Sequence, residues 1–367
     1  MRTVDLKIAD VAFGGKGVAR EDGKAVFIPF TIEGELVSAK ITRDKKQFAE
    51  AEFVELRQRS PYRVDPPCPY FGRCGGCAFQ HIDYAHQLEI KTRQVRDVLK
   101  RIGKVDDVPM RQIIPSPFPY AYRNRVTVHA ENGVIGYFQR DSNRLTDIEH
   151  CPIAMEEVNR ELADLRSHDV PDGHYTLRAK SGPRVFSQTN DGVANALRDL
   201  IVQLMPSNQE LLVDAFCGAG FFAKALVGKF QRIVGIDWDR FAIAAAKENA
   251  TEKETYVAGD IEAELSRTDL TALSGQVSSG KRDGSAKTAV IVDPPAVGLS
   301  ARLRKTIVDL APATLIYVSC NPATLARDLA GLHSRFKIES VTPLDMFPQT
   351  AEIEVVAQLQ RSNASTN

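Results

Sequence analysis

Apolar and polar positions change rhythm twice along the chain. From residue 1 to about 58, short alternating runs are broken by glycine: DLKIADVAF, GVARED, GKAVFIPF, GELVSAKIT and FAEAEFVEL. Period-two alternation with turn punctuation predicts five strands. So many short strands in so little chain predict a small barrel, of which the OB-fold is the common nucleic-acid-binding case. Its candidate phosphate contacts are Lys16, Arg20, Lys24, Arg43, Lys45 and Lys46; the plainer alternative is solvated turn charge.

After a join at Pro61, Pro66 and Pro67, HQLEIKTRQVRDVLKRIGKV places Val95, Val98, Leu99 and Ile102 at helical spacing, with Gly103 as a stop. The other face of this helix carries Lys91, Arg93, Arg96, Lys100 and Arg101, a solvated or RNA-contacting surface. Residues 108–185 mix short strands and turns. There Tyr122, Arg123, Asn124 and Arg125 open a strand and either line an RNA-facing surface or pair within a sheet.

From about residue 186, strands and helices alternate. ELLVDAF, RIVGID, TYVAGD, AVIVDPP and TLIYVS are predicted strands, and KIESVTPLDMF with EIEVVAQLQ closes the chain as two strands joined by a short turn. A terminal β-hairpin after five α/β units marks the class I methyltransferase sheet rather than a dehydrogenase. The polar linker SGQVSSGKRDGSAK reads as a surface loop.

A length of 367 residues exceeds the usual single core, so several domains are expected. They are an OB-like barrel over 1–60, a central α+β region over 61–184, an α/β domain over 185–360 and a polar tail over 361–367. The helix at 86–103 is able to pack on the α/β domain. Forty-seven basic residues balance 47 acidic ones, so a nucleic-acid partner must be held by local patches. No apolar run of about 18 residues suits a bilayer, and MRTVDLKIAD lacks a signal-peptide core. A cytoplasmic monomer without membrane or obligate protein partner is the expectation.

Six cysteines in a reducing compartment point to metal or catalytic roles rather than disulfides. Cys68, Cys74 and Cys77 sit in one glycine-rich loop, CPYFGRCGGC, and Cys151 can complete a four-thiolate set. Such a set holds structural zinc or an iron–sulfur cluster; three ligands in one loop and a distant fourth lean towards [4Fe–4S]. Cys217, in the glycine turn, reads as structural.

In CGAGFF, Gly218, Gly220 and Ala223 form a strand–turn–helix pattern that lets a ligand approach backbone. Asp237 closes the next strand, placed to accept from ribose hydroxyls; Asp260, Asp293 and Cys320 close the later ones. Up to this point an NAD enzyme and an S-adenosylmethionine enzyme both fit, and the terminal hairpin favours the second. DPPA carries neither the aromatic residue usual in adenine-amino methyltransferases nor the cysteine usual in RNA 5-methylcytosine enzymes. The thiol lies instead in SCNP, at Cys320. Carbon 5 of uracil is a poor nucleophile until a thiolate adds at carbon 6, and after methyl transfer a base must remove the carbon 5 proton. Glu354, at the start of the last strand, is the candidate base, with Glu352 as its neighbour and competitor.

SCNPATLARDL, LDMFPQTAEIEVV, DAFCGAGFF and the four-cysteine set together resemble the RNA 5-methyluridine methyltransferase family, in particular its 23S ribosomal RNA members with TRAM and iron–sulfur domains. The first 60 residues resemble a TRAM domain. The resemblance implies Cys320 as nucleophile, Glu354 as proton-abstracting base, and Cys68, Cys74, Cys77 and Cys151 as [4Fe–4S] ligands. It also implies S-adenosylmethionine contacts at Phe216, Phe221, Asp237, Asp260 and Asp293, and Gln188 at the cofactor and uridine site. The partner implied is RNA, 23S ribosomal RNA ahead of tRNA. Ala296, Phe221, Asp237 and Glu352 stand where the family more often has arginine, asparagine, glutamate and histidine. An inactive RNA-binding or chaperone protein is opposed by the intact Cys320, Glu354 and glycine turn.

Overall fold

The computed structural model describes residues 2–179, 188–267 and 287–362. The expected boundary at 184/185 and residues 274–286 of the polar linker lie outside the described residues. Among the described residues, three sheets organise the chain. The first is a six-stranded sheet with order β1-β5-β6-β4-β3-β2, built from β1 (Thr3–Lys7), β2 (Asp10–Val11), β3 (Lys16–Glu21), β4 (Lys24–Pro29), β5 (Leu36–Asp44) and β6 (Phe48–Gln58). Its alternating apolar positions, among them Val26, Ile28, Val37 and Ile41, point inward and form one core. DLKIADVAF is two strands rather than one, β1 and the short β2.

The expected phosphate contacts of the barrel are partly consumed within it. Lys16 bonds Glu50 at 3.1 Å, Lys24 pairs with Asp44, Arg43 lies 3.6 Å from Glu50, and Arg20 donates to the Gly23 carbonyl. Acidic side chains on other strands take up three of these charges, Arg43 and Glu50 being direct cross-strand neighbours, and a backbone carbonyl accepts from the fourth.

The second sheet is antiparallel, ordered β10-β7-β8-β9, from β7 (Arg125–Glu131), β8 (Val134–Phe138), β9 (Leu145–Asp147) and β10 (Gly173–Arg178). Val126, Val128, Ile135 and Leu177 pack one face against Val158 and Leu162 of the helix Glu156–Arg166. Tyr122 and Arg123 do not open this sheet's surface. Tyr122 is buried, with its hydroxyl donating to the Pro348 carbonyl at 3.0 Å.

The third sheet has order β13-β12-β11-β14-β15-β17-β16: β11 (Gln209–Ala215), β12 (Phe230–Asp237), β13 (Glu254–Ala258), β14 (Thr288–Val292), β15 (Thr314–Ser319), β16 (Phe336–Leu344) and β17 (Glu354–Arg361). Five strands are parallel, and β17 inserts antiparallel between β15 and β16. Strands buried on both faces read as continuous apolar runs, which is why these were legible. The link between the last two strands is not a short turn. Residues 345–353 form a connection held by the central region: Ala78 and Phe79 donate backbone N–H groups to the Gln349 carbonyl, and Gln87 Nε2 donates to Gln349 Oε1 at 3.0 Å.

The long helix Tyr84–Arg101 starts at Asp83, whose carboxylate accepts from the Ala85 and His86 N–H groups. Val95, Val98 and Leu99 join the core of the third sheet, whereas Ile102 is exposed at the helix end. The expected basic face is only partly a surface. Lys91 is fully buried and donates to Asp345 at 2.5 Å and to the Phe347 carbonyl at 3.0 Å. Arg93 bonds Asp10 and Glu33, tying the helix to the barrel, while Arg96, Lys100 and Arg101 are exposed. Burial pushes Lys91 down and Asp345 pushes it back up. Lys91→Met is expected to cost about 3–5 kcal/mol, because Asp345 is left as an unpaired buried charge. A urea-unfolding midpoint checks it, and adding Asp345→Leu to Lys91→Met should recover most of the loss.

Candidate active site

Register alone brings the predicted residues to one rim. β15 ends with Ser319 opposite Val355 of β17, so the next position sets Cys320 opposite Glu354, which also pairs with Leu344 of β16. Val292 of β14 pairs with Ala215 of β11, which pairs with Ile236 of β12; Asp293, Phe216 and Asp237 therefore follow at one level. The carboxyl ends of a doubly wound sheet are where ligands bind.

The turn carrying Cys320 is rigidly held. Asn321 caps the helix Pro322–Leu332 through the Ala323 N–H, and Pro322 at the first helical position presets its entry. Asn321 Nδ2 and Thr324 Oγ1 both donate to the Ala296 carbonyl, at 3.3 and 3.0 Å, so the cysteine turn and the DPPA loop are joined. Beneath them Asp328 is fully buried and accepts from Arg304 at 2.6 Å, Leu299 N–H at 2.7 Å, Tyr317 hydroxyl at 2.8 Å and Arg327 Nε at 2.9 Å. This hub went unnoticed in the sequence. Its signal is an aspartate among the inward positions Leu325, Leu329 and Leu332 of one helix.

The rim is acidic. Glu354 is buried, and desolvation, Asp293 and Glu352 hold its carboxyl well above the usual range. Burial also raises the half-buried Asp293, to about 7. Cys320, half-buried, is pushed up to about 11 by desolvation first, then by Glu354 and Asp293. Such a rim suits a cationic ligand, whose charge offsets these carboxylates. Glu352 is exposed and lies in the connection before β17, not on the strand beside Glu354 as expected.

The glycine turn follows β11. Phe216 has φ 66° and Gly220 φ 82°, and a Cβ on Gly220 would stand 2.6 Å from the Tyr256 hydroxyl, so only glycine fits there. Asp237 is buried and accepts from Gly218 N–H at 2.8 Å and Asp239 N–H at 2.9 Å, holding the turn closed around it. Phe221 begins the helix Phe221–Leu226 and is partly exposed. Asp260, exposed two residues past β13, accepts from Ala263 N–H at 2.8 Å, the capping bond of the helix Ile261–Arg267. The Gln188 carbonyl accepts from Asn124 Nδ2 at 2.9 Å, which fixes its place beside the second sheet. Asn124, which the sequence left among strand residues, thus anchors the backbone at Gln188. Cys217 is buried with its thiol pushed far up by desolvation, consistent with a structural part.

Away from the rim, Cys68, Cys74, Cys77 and Cys151 line one cavity of about 70 Å³ with Tyr70, Phe71 and Arg123. Gly76 N–H points at Cys74 Sγ at 3.4 Å, and Asn159 clamps Cys151 by accepting its N–H and donating to its carbonyl. All four thiols are free. Among the described residues no three metal-ligating side chains are spaced for a single ion, and no helix is long and apolar enough to cross a membrane.

A model of the tRNA (uracil-5-)-methyltransferase family matches residues 168–362, and one of the TRAM domain matches residues 1–54. An uncharacterized RNA methyltransferase of Halalkalibacterium halodurans is 30% identical over 98% of this chain and 97% of its own. The 23S rRNA (uracil(1939)-C(5))-methyltransferase RlmD of Acidithiobacillus ferrooxidans is 29% identical over 95% of each chain. The crystal structure of Pyrococcus abyssi tRNA (uracil-54, C5)-methyltransferase in complex with S-adenosyl-L-homocysteine shares the fold, with a TM-score of 0.70 at 24% identity, over 97% of this chain and 100% of that one.

Proposed function

The chain belongs to the tRNA (uracil-5-)-methyltransferase family, and from that premise we propose that it methylates carbon 5 of a uridine in 23S ribosomal RNA through a covalent adduct of Cys320. The observation carrying this reading is the juxtaposition of Cys320 and Glu354 across β15 and β17, at the rim shared with the glycine turn.

Cys320 thiolate adds to carbon 6 of uracil, and the ring electrons move to carbon 5 and the carbonyl as an enolate. S-adenosylmethionine supplies the methyl group that carbon 5 then takes. Glu354 removes the proton left on carbon 5, the electrons return to the ring, and the carbon–sulfur bond breaks to release thiolate and 5-methyluridine. Burial and the neighbouring Asp293 favour the neutral form of the Glu354 carboxyl, so it takes that proton only once ionised, and as a carboxylate its raised pKa makes it the stronger base. The backbone at Phe216, Gly218 and Gly220, with Phe221, Asp237, Asp260 and Asp293, would hold the donor, and Gln188 would hold donor and uridine. A base in a stack must be flipped out, at roughly a few kcal/mol.

The Acidithiobacillus relative, named for 23S rRNA, favours ribosomal RNA, and the N-terminal TRAM match supports an RNA substrate of either kind. The name of the family model favours a tRNA uridine as second reading. Mapping 5-methyluridine in ribosomal and transfer RNA from cells with and without this protein tests both. Loss at a 23S position is expected; loss confined to tRNA transfers the substrate, and no loss in either refutes the activity.

For the cysteine cavity we propose a [4Fe–4S] cluster, which would need the four thiols to draw closer together than they stand. Four soft thiolate donors from two chain segments surround a space sized for several atoms. Cys68, Cys74, Cys77 and Cys151 would hold it, as a folding and RNA-positioning part, since methyl transfer moves no net electrons. Anaerobically purified protein is expected to be brown, with about four iron and four sulfide per chain, and Cys151→Ser to lose both. Stoichiometric zinc from iron-replete cells is the contrary result.

A further inference from the structure

β16 and β17 make their last pair at Leu344 and Glu354, so residues 345–353 set where the strand carrying Glu354 begins. A hairpin connection of this length is ordinarily a mobile surface loop. This one is buried: Met346, Gln349, Thr350 and Ile353 are each at most 4% exposed. Successive carbonyls along it accept from donors far away in sequence. The Met346 carbonyl takes Asn190 Nδ2 at 3.3 Å, Phe347 takes Lys91 Nζ at 3.0 Å, Pro348 takes the Tyr122 hydroxyl at 3.0 Å, and Gln349 takes the Ala78 and Phe79 N–H groups at 3.0 and 2.9 Å.

Gln349 is the centre of this grip. Its φ is 68°, in the left-handed region that residues other than glycine rarely adopt. Its N–H donates to Gln87 Oε1 at 3.2 Å, its Oε1 accepts from Gln87 Nε2 at 3.0 Å, and its Nε2 donates to the Pro119 carbonyl at 3.3 Å. Such a conformation persists only where the surroundings over-determine it, and such residues cluster at functional sites. The turn of Cys320 hangs on a separate set of bonds, from Asn321 and Thr324 to the Ala296 carbonyl.

We propose that Gln349, locked in this conformation by Gln87 and by the Tyr122–Pro348 bond beside it, is a positioning residue for Glu354 and aligns its carboxylate with the carbon 5 proton. The inference rests on the methyltransferase reading and adds to it a residue that acts through the backbone rather than on the reacting atoms. A catalytic group displaced by about 1 Å can lose on the order of 100-fold in rate. Loosening the grip should therefore slow release of the adduct and spare its formation at Cys320.

Single-turnover reactions of the intact protein with S-adenosylmethionine and a transcript of the RNA found by the 5-methyluridine map, quenched in denaturant, separate adduct from released RNA. Gln349→Val, whose branched side chain opposes the left-handed conformation, is expected to form adduct within about twofold of the parent rate and to release it about 10- to 100-fold more slowly. Gln349→Gly loses the same side-chain bonds but adopts that conformation freely, and should release within about threefold of the parent. Tyr122→Phe, which removes only the donor to Pro348, should slow release about threefold or more. If Gln349→Val fails to bind S-adenosylhomocysteine and so has not folded, Tyr122→Phe decides. Adduct formation falling together with release, a stall in Gln349→Gly equal to that in Gln349→Val, or parent-like release by Tyr122→Phe overturns the inference while leaving the proposed function intact. A parent protein that yields neither adduct nor 5-methyluridine refutes that function, and this inference with it.

Discussion

Cys320→Ala protein is expected to lose methyl transfer by about 10,000-fold or more while binding S-adenosylhomocysteine as the parent does. Cys320 stands at a turn fixed from three sides by Asn321, Thr324 and the Asp328 hub, so removing one sulfur leaves the scaffold in place. Without the thiolate there is no enolate, and carbon 5 has no means of attacking the donor. In the parent, kcat/KM should climb with pH through the neutral range. A thiol raised to about 11 gains thiolate roughly tenfold per pH unit below that value. The sign follows from the cause: burial, Glu354 and Asp293 all favour the neutral thiol, so alkali relieves a deficit. A flat profile from pH 6 to 9 under single-turnover conditions would remove Cys320 ionisation from the rate.

Glu354→Gln is expected to leave addition and methyl transfer intact and to slow release by about 100- to 10,000-fold. The glutamine is nearly isosteric, and the site loses a buried carboxyl whose charge is already disfavoured, so the fold should hold. Methylated RNA should then accumulate as an adduct with the protein, seen as a shifted band in a denaturing gel. Glu352→Gln, at an exposed position off the strand, should turn over normally. If Glu352→Gln stalls and Glu354→Gln does not, the roles are exchanged.

Much of the third sheet could be read from residues 209–361 because strands covered on both faces lose their alternation and show as apolar runs. Once those runs are ordered, the residues after them must share a rim, and Phe216, Asp237, Asp293 and Cys320 do. Local pattern says nothing about partners far away in sequence. Lys91 belongs to a basic helical stripe by spacing, yet its partner Asp345 is 254 residues on. Asp328 is one polar letter on an apolar face until Tyr317, Leu299 and Arg304 converge on it. The barrel charges looked available because cross-strand register, which sets Arg43 opposite Glu50, cannot be read from alternation. The connection over 345–353 read as a turn because its function is to be gripped by Ala78, Phe79 and Gln87, none of them near in sequence.

The central claim is a covalent bond between Cys320 and carbon 6 of uracil. 23S ribosomal RNA transcribed with 5-fluorouridine, incubated with the protein and S-adenosylmethionine, should stall after methyl transfer because fluorine cannot leave as a proton does. Mass spectrometry of the nuclease- and protease-digested adduct should find a methylated fluorouridine nucleotide on the peptide containing Cys320. The same nucleotide on Cys217 or another cysteine, or methyl transfer to the unmodified RNA with no adduct on the fluorinated one, would contradict the account.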